Sequence, residues 1–210
     1  MRIDTFRLER FFAEHEFAVA HNLAASDCEP ISQAELLDMA GVAEMELWEE
    51  LKLGYTETRG APFLRQAIAR IYQGIEPEQL LVCAPVEGIF LAMNAILKPG
   101  DHVICCYPEY QALSEVARAI GCKVDRWEAD EKQGWRFDPK WLERHVRPDT
   151  RLIVINFPHN PTGCLPVLRD LEQIVEIARK REVYLFSDEM YMFLEQDPGT
   201  RLPSACDVYE

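Results

Sequence analysis

Several kinds of segment are missing from this 210-residue sequence. No apolar run approaches the roughly 20 residues that a membrane-spanning helix needs. The first residues, MRIDTFRLERFFAEHEF, carry charges throughout and lack the apolar stretch of a secretory signal. The glycine patterns G-x-G-x-x-G and G-x-x-x-x-G-K-[ST] are also absent, which disfavours a dinucleotide fold and a nucleoside-triphosphate loop. We therefore expect a cytoplasmic protein with no membrane partner.

Basic residues are scarce. The chain has 22 Lys and Arg against 36 Asp and Glu, a net charge of −14. Because phosphate contacts need clustered basic side chains, this balance argues against a nucleic-acid partner. The seven cysteines contain no C-x-x-C pair and the five histidines show no ligand spacing, so we predict neither a disulfide framework nor a metal site. We expect buried, reduced thiols instead.

Short apolar runs alternate with helical patterns from residue 79 onward. We predict strands at 80–83, 103–106, 123–128, 151–155 and 183–186. The helices predicted between them cover about 87–97, 110–120, 138–146 and 167–181. This alternation is typical of an α/β fold, with a mostly parallel sheet covered by helices on both faces.

The first 75 residues have a helical character. The stretch Ser32 to Glu35 has the form of a capping box and predicts a helix start. Residues 62–72 read as another helix, with proline at its first position. We divide the chain into a helical N-terminal arm or part of a small domain, 1–50, and a partial large domain, 51–210.

Polar motifs follow two of the predicted strands, where ligands of parallel sheets bind. Residues 156–163 read N-F-P-H-N-P-T-G, and residues 187–191 read S-D-E-M-Y. Each motif alone is a common turn or solvated strand end, but their combination resembles the class I/II aminotransferases, pyridoxal-phosphate enzymes of fold type I. Residues 55–65, in the pattern Y-x-x-x-x-G-x-x-x-L-R, and the K-P-G-D turn at 98–101 extend the resemblance over most of the chain.

The resemblance implies a pyridoxal-phosphate-transferase-like large domain, incomplete here, with pyridoxal 5'-phosphate as cofactor. It further implies amino acid and 2-oxo acid substrates and a homodimer in the full-length protein. Asp188 matches the carboxylate that keeps the cofactor's ring nitrogen protonated. Asn160 and Tyr191 match the donors to its phenolic oxygen, Tyr191 being also the candidate catalytic residue. Tyr110 matches the aromatic that stacks on the ring.

The phosphate site departs from the family's common pattern. An anion there needs free backbone N–H groups at a helix N-terminus, and the resemblance leaves Val86 and Glu87 as candidate donors because Pro85 has no N–H. Tyr55 resembles the tyrosine that reaches the phosphate of the neighbouring subunit. His159 lies inside the N-P-T-G motif, and we expect a loop histidine there rather than an acid–base catalyst.

The family's cofactor-binding lysine has no counterpart here. By resemblance it follows the aspartate by roughly 30–40 residues, after a serine-rich strand end. None of the six lysines fits this pattern. We therefore expect an inactive chain, either a truncated aminotransferase or a pseudoenzyme. Two alternatives stay open: a pyridoxal-phosphate β-lyase or cyclase of the same fold, and a non-catalytic fragment that serves as an interaction module. Met190-Tyr191 favours transaminases over one lyase group.

Overall fold

The structure, a computed structural model, describes residues 1–209. Its centre is a four-stranded, all-parallel sheet with strand order β2-β1-β3-β4. The strands are β1 (His102–Tyr107), β2 (Lys123–Glu128), β3 (Thr150–Asn156) and β4 (Tyr184–Asp188). Four of the five predicted strands are confirmed, with bounds that differ by two residues at most.

Helices connect and cover the strands. In the described part of the chain they are α1 (Arg7–His15), α2 (Gln33–Asp38), α3 (Val42–Glu49), α4 (Pro62–Ala69), α5 (Pro85–Ile96), α6 (Ala112–Ile120), α7 (Pro139–His145), α8 (Leu168–Lys180) and α9 (Ala205–Val208). The α/β prediction with helices on both faces is confirmed. The capping box before α2 is also present, since Ser32 N–H donates to the Glu35 carboxylate at 2.7 Å and Glu35 N–H donates to Ser32 Oγ at 3.2 Å.

The central strands are apolar because both of their faces are buried. Neighbouring side chains on a strand point to opposite faces, and Cys105 and Cys106 show this directly. Cys106 belongs to an apolar cluster with Trp127, Leu142 and residues of α8. Cys105 belongs to the opposite cluster, with residues of α5 and α6. The two clusters hold the sheet between its helices and fix the positions of the strand ends.

The predicted strand at 80–83 is wrong. A short 3-10 turn, Pro77–Gln79, leads into an extended segment without a strand partner among the described residues. A single backbone bond, from Val82 N–H to the carbonyl of Arg59 at 3.0 Å, ties it to the rest of the chain. An apolar run becomes a strand only where a second strand can pair with it, which the local sequence does not encode.

The expectation of buried thiols holds for two cysteines only. Cys105 and Cys106 are buried, whereas Cys28, Cys83 and Cys206 are exposed. All seven are free thiols, so the structure has no disulfide within residues 1–209. No helix in this part of the chain is long and apolar enough to cross a membrane.

Candidate active site

The carboxyl ends of β3 and β4 lie side by side, as expected for neighbouring parallel strands. Asn156 and Asp188, the last residues of the two strands, are register partners. The Asn156 side chain joins them further, because its Nδ2 donates to the carbonyl of Asp188 at 2.9 Å. Its Oδ1 accepts the backbone N–H of Asn160 at 2.7 Å. The sequence motif drew attention to Asn160 and gave Asn156 no role of its own.

Two of the predicted cofactor ligands meet beyond these strand ends. Asn160 Nδ2 donates to the phenol oxygen of Tyr191 at 3.4 Å. Both side chains are half-buried and line a cleft of about 630 Å³. A larger cleft of about 750 Å³ lies elsewhere, against α8 and α9, and contains none of the predicted site residues. The smaller cleft is the candidate site because His159, Asn160 and Tyr191, from the loops that follow β3 and β4, line it.

The carboxylate of Asp188 is half-buried, and its environment disfavours the charged form. Burial raises its pKa, the N–H of Met190 on Oδ1 at 3.2 Å lowers the pKa, and the charge of Glu189 raises it again. No lysine or arginine pairs with Asp188 among the described residues. A half-buried, partly desolvated carboxylate without a cation is costly, so a bound cationic group would be stabilised here.

Tyr110 lies at the edge of the site, between β1 and α6. The N-terminal segment covers it: Phe6 packs edge-on against the ring with centroids 6.5 Å apart, and the Tyr110 hydroxyl donates to Glu9 at 3.0 Å. Burial and the Glu9 carboxylate raise the pKa of Tyr110 to about 12, and the charge of Asp188 contributes. Asp188 and Tyr110 are therefore within electrostatic reach of each other.

The loop that carries Tyr110 is fixed by its neighbour Glu109. The thiol of Cys105 donates to Glu109 Oε2 at 2.8 Å, and Ser114 donates to Oε1. Arg118 in turn donates to Ser114 Oγ at 2.6 Å. These contacts anchor the loop to both β1 and α6, so that the position of Tyr110 is set from either side.

His159 is buried and contacts two loops; its expected lack of an acid–base role stays a prediction. It is 2% exposed, with Nε2 2.8 Å from the carbonyl of Pro108 and Nδ1 2.7 Å from Thr162 Oγ1. A carbonyl can only accept, so Nε2 carries the proton and the Thr162 hydroxyl donates to Nδ1. Both ring nitrogens are used to join the loop after β1 to the loop after β3.

The predicted phosphate donors stand at the start of α5. Val86 and Glu87 occupy the first turn, where backbone N–H groups have no carbonyl of their own helix to bind. The Glu87 carboxylate is turned back onto the N–H of Ala84, at 3.3 Å. Its negative charge therefore lies at this helix end, an arrangement that competes with an anion for the same dipole.

Tyr55 lies apart from the other site residues. It is fully exposed in the segment between α3 and α4. Sequence reasoning assigned no role to Glu189. Its Oε1 accepts a hydrogen bond from the Ser187 hydroxyl at 2.7 Å and another from the N–H of Ala205 at 2.9 Å. The second bond holds the start of α9 next to the end of β4. No local signal could have found this pair, since Ala205 is far along the chain.

The sequence pattern described as "Aminotransferase class I and II" matches residues 21–203. The chain belongs to the class I and II aminotransferase family. It is 33% identical over 149 residues to the aspartate/prephenate aminotransferase of Thermus thermophilus. That alignment covers 68% of this chain and 39% of the relative. A probable N-succinyldiaminopimelate aminotransferase of Mycobacterium tuberculosis is 33% identical over 159 residues, covering 72% of this chain and 40% of the relative.

Solved aminotransferases share the fold. A pyridoxal-phosphate-dependent aminotransferase from Streptococcus suis superimposes with a TM-score of 0.90 at 31% identity, over 100% of this chain and 56% of that one. Aspartate aminotransferase from Thermus thermophilus with maleate gives a TM-score of 0.72 at 31% identity, over 80% and 45% of the two chains. The chain thus spans about half the length, or less, of the aminotransferases it matches.

Proposed function

We propose that this chain forms the cofactor-binding part of a pyridoxal-phosphate-dependent aminotransferase, which transfers an amino group between an amino acid and a 2-oxo acid. One observation carries the proposal: Asn156 links the backbone of Asp188, which carries a half-buried carboxylate, to the loop whose Asn160 forms an amide–phenol pair with Tyr191. When bound, pyridoxal phosphate supplies an electron sink for the substrate's electrons.

The donor set fits this cofactor at its ring. The Asp188 carboxylate, desolvated and without a cation, would accept the N–H of a protonated ring nitrogen. Asn160 uses one Nδ2 hydrogen on Tyr191 and keeps the other, and the Tyr191 hydroxyl has its own hydrogen to donate. Two donors would therefore reach an anionic phenolic oxygen, while the ring of Tyr110 offers an apolar face.

The phosphate end fits less closely. The N–H groups of Val86 and Glu87 support an anion, whereas the Glu87 carboxylate on Ala84 N–H opposes it. We propose that Tyr55 of a second copy adds a donor there, in a homodimer. The full exposure of the Tyr55 side chain supports this assignment. Tyr55→Phe should then weaken phosphate-dependent binding only at concentrations where sedimentation shows a dimer.

We also propose that the 210 residues alone do not turn over amino donors. Their lysines lie away from the strand ends that carry Asp188 and Asn160. They are Lys52, Lys98, Lys123, Lys132, Lys140 and Lys180, found in loops, at the start of β2, in a 3-10 turn and on α7 and α8. Turnover with a panel of amino donors and 2-oxo acids tests this, and borohydride labelling of one of these lysines in an active protein would contradict it.

Binding of pyridoxal phosphate to the 210-residue chain tests the proposal as a whole. Cofactor fluorescence should report a dissociation constant that rises about tenfold in Asp188→Asn, because a charge-assisted hydrogen bond contributes about 1.5–3 kcal/mol. Asp138→Asn is the matched control, since Asp138 is an exposed residue that caps α7, it does not line the cleft, and asparagine caps equally well. Equal affinities in all three proteins would remove Asp188 from the cofactor site.

A further inference from the structure

Asn156 is an almost fully buried amide, 2% exposed, with both of its polar atoms in use. Nδ2 donates to the carbonyl of Asp188 on β4 at 2.9 Å, and Oδ1 accepts from the N–H of Asn160 at 2.7 Å. The same carbonyl of Asp188 also accepts the N–H of Phe157 at 3.1 Å. One side chain thus connects two separate pieces of backbone, each of which carries a candidate cofactor ligand.

We propose that Asn156 is a positioning residue that sets the distance between the Asp188 carboxylate and the Asn160 amide. The inference rests on the proposed function, because the two residues matter as a pair only when one cofactor ring touches both. Both polar atoms of the Asn156 side chain bind backbone atoms, and the side chain does not line the cleft. It acts through Asp188 and Asn160.

The chemistry of the contact explains why an amide side chain stands at this position. One contact needs a donor for a carbonyl, and the other needs an acceptor for an N–H. Asparagine supplies both at once on a short, stiff side chain. Aspartate keeps the acceptor but loses the donor, and it places a second negative charge beside Asp188. Alanine loses both contacts and leaves a buried carbonyl and N–H with fewer partners.

The loop after β3 has a second anchor of its own. His159 binds Pro108 and Thr162, and Gly163 N–H donates to the carbonyl of His159 at 2.7 Å. The loop therefore keeps its overall shape without Asn156, whereas the N–H of Asn160 depends on Asn156 Oδ1. A variant at Asn156 should free Asn160 and leave the rest of the loop in place.

Amide hydrogen exchange of the full 210-residue chain tests the tether without any cofactor. In Asn156→Ala the Asn160 amide should exchange at least tenfold faster, while the amides of Phe157 and Gly163 keep their protection. Asn156→Asp should protect Asn160 as the wild type does. Ile155→Val controls for lost stability, because Ile155 is buried next along β3 and makes no polar contact with the site. Unchanged Asn160 exchange in Asn156→Ala would overturn the tether.

Pyridoxal phosphate binding, read by cofactor fluorescence, tests the consequence for the site. Asn156→Ala should raise the dissociation constant about tenfold, because the loss of both contacts leaves the Asp188 carboxylate and the Asn160 amide free to move relative to each other. Asn156→Asp should also weaken binding although it keeps Asn160 protected. Ile155→Val should bind as the wild type does. If Asp188→Asn weakens binding and Asn156→Ala matches Ile155→Val, Asn156 is not a positioning residue. If Asp188→Asn and Asn160→Ala both bind pyridoxal phosphate as the wild type does, the proposed function is wrong, and the inference about Asn156, which rests on it, is wrong as well.

Discussion

The amide of Asn160 donates to the phenol oxygen of Tyr191 at 3.4 Å, although the two residues lie 31 positions apart. The contact exists because β3 and β4 are neighbours in the sheet and end at the same edge. Two motifs that look like ordinary turns when taken singly thereby become one polar cluster.

Asp188→Asn should stabilise the cofactor-free chain while it weakens cofactor binding. Burial raises the Asp188 pKa, so the folded state holds this proton more firmly than the unfolded chain does. The free energy of unfolding therefore falls as pH rises from the ordinary aspartate value through the raised one. Asparagine stays neutral and keeps the acceptor for Met190 N–H. Thermal unfolding at pH 8 should show a higher melting temperature for Asp188→Asn than for the wild type. A variant less stable than the wild type at every pH would contradict this prediction.

His102 should make the protein sensitive to mild acid. It is fully buried at the start of β1, with Nδ1 2.7 Å from Thr150 Oγ1. Nε2 lies 3.0 Å from Asp125 but outside hydrogen-bond geometry. Burial lowers the His102 pKa, the Asp125 contact raises it, and Arg147 lowers it. The folded state thus binds the proton less readily than the unfolded chain does.

The stability linked to His102 is therefore complete above about pH 6.5 and is lost as pH falls from there toward the lowered pKa. Urea unfolding between pH 7.5 and 5 should show a decline of at most about 1.4 kcal/mol per pH unit from this group. His102→Gln should flatten that decline. His21→Gln, at an exposed position, should leave it unchanged. Parallel pH profiles of wild type and His102→Gln would contradict the prediction.

Glu9→Ala should lower the pKa of Tyr110 from about 12 toward the ordinary tyrosine value. Burial is the main cause of the raised Tyr110 pKa, and the Glu9 carboxylate raises this pKa further by accepting a hydrogen bond from the hydroxyl. Carbon-13 NMR of labelled tyrosine gives the titration directly, with Tyr110→Phe to assign the signal. Glu14→Ala, on the outer side of the same helix, serves as control. A Tyr110 titration that does not move in Glu9→Ala would show that α1 does not hold the hydroxyl in solution.

The segment 80–84 and α5 should make the chain self-associate. Leu81 is 52% exposed, and Phe90 and Leu91 on α5 are 39% and 42% exposed. Apolar surface of this kind is an aggregation hazard. We expect hydrophobic-dye binding and a sedimentation coefficient that increases with concentration. Leu81→Lys with Leu91→Lys should reduce both, and Leu168→Lys on α8 should not. A monodisperse 24.2 kDa monomer that binds no dye would contradict this prediction.

The sequence predicts the buried part of the fold well. The runs at 103–106 and 151–155 are apolar because both faces of β1 and β3 are covered, and that pattern is visible locally. The run at 80–83 carries a similar signal and forms no strand, since pairing depends on a distant segment. The composition of a run indicates whether it is buried, but it does not indicate which strand pairs with it.

In the candidate site, too, the residues of local motifs could be predicted from the sequence, whereas contacts between distant residues could not. Asp188, Asn160 and Tyr191 were predicted from motifs that lie at strand ends. The supporting contacts were not, because Tyr110 and Glu9 lie 101 residues apart and only the folded chain brings them together. The contact of the exposed Glu87 carboxylate with the N–H of Ala84 is likewise a property of the folded helix start.

We propose that Asp188 binds the ring nitrogen of pyridoxal phosphate and keeps it protonated. Nitrogen-15 NMR of cofactor labelled at that nitrogen measures its protonation state directly in the bound form. At pH 8 we expect the signal of a protonated ring nitrogen in the wild type and in Asp138→Asn. In Asp188→Asn we expect a shift toward the signal of the neutral nitrogen. The same signal in Asp188→Asn as in the wild type would contradict it.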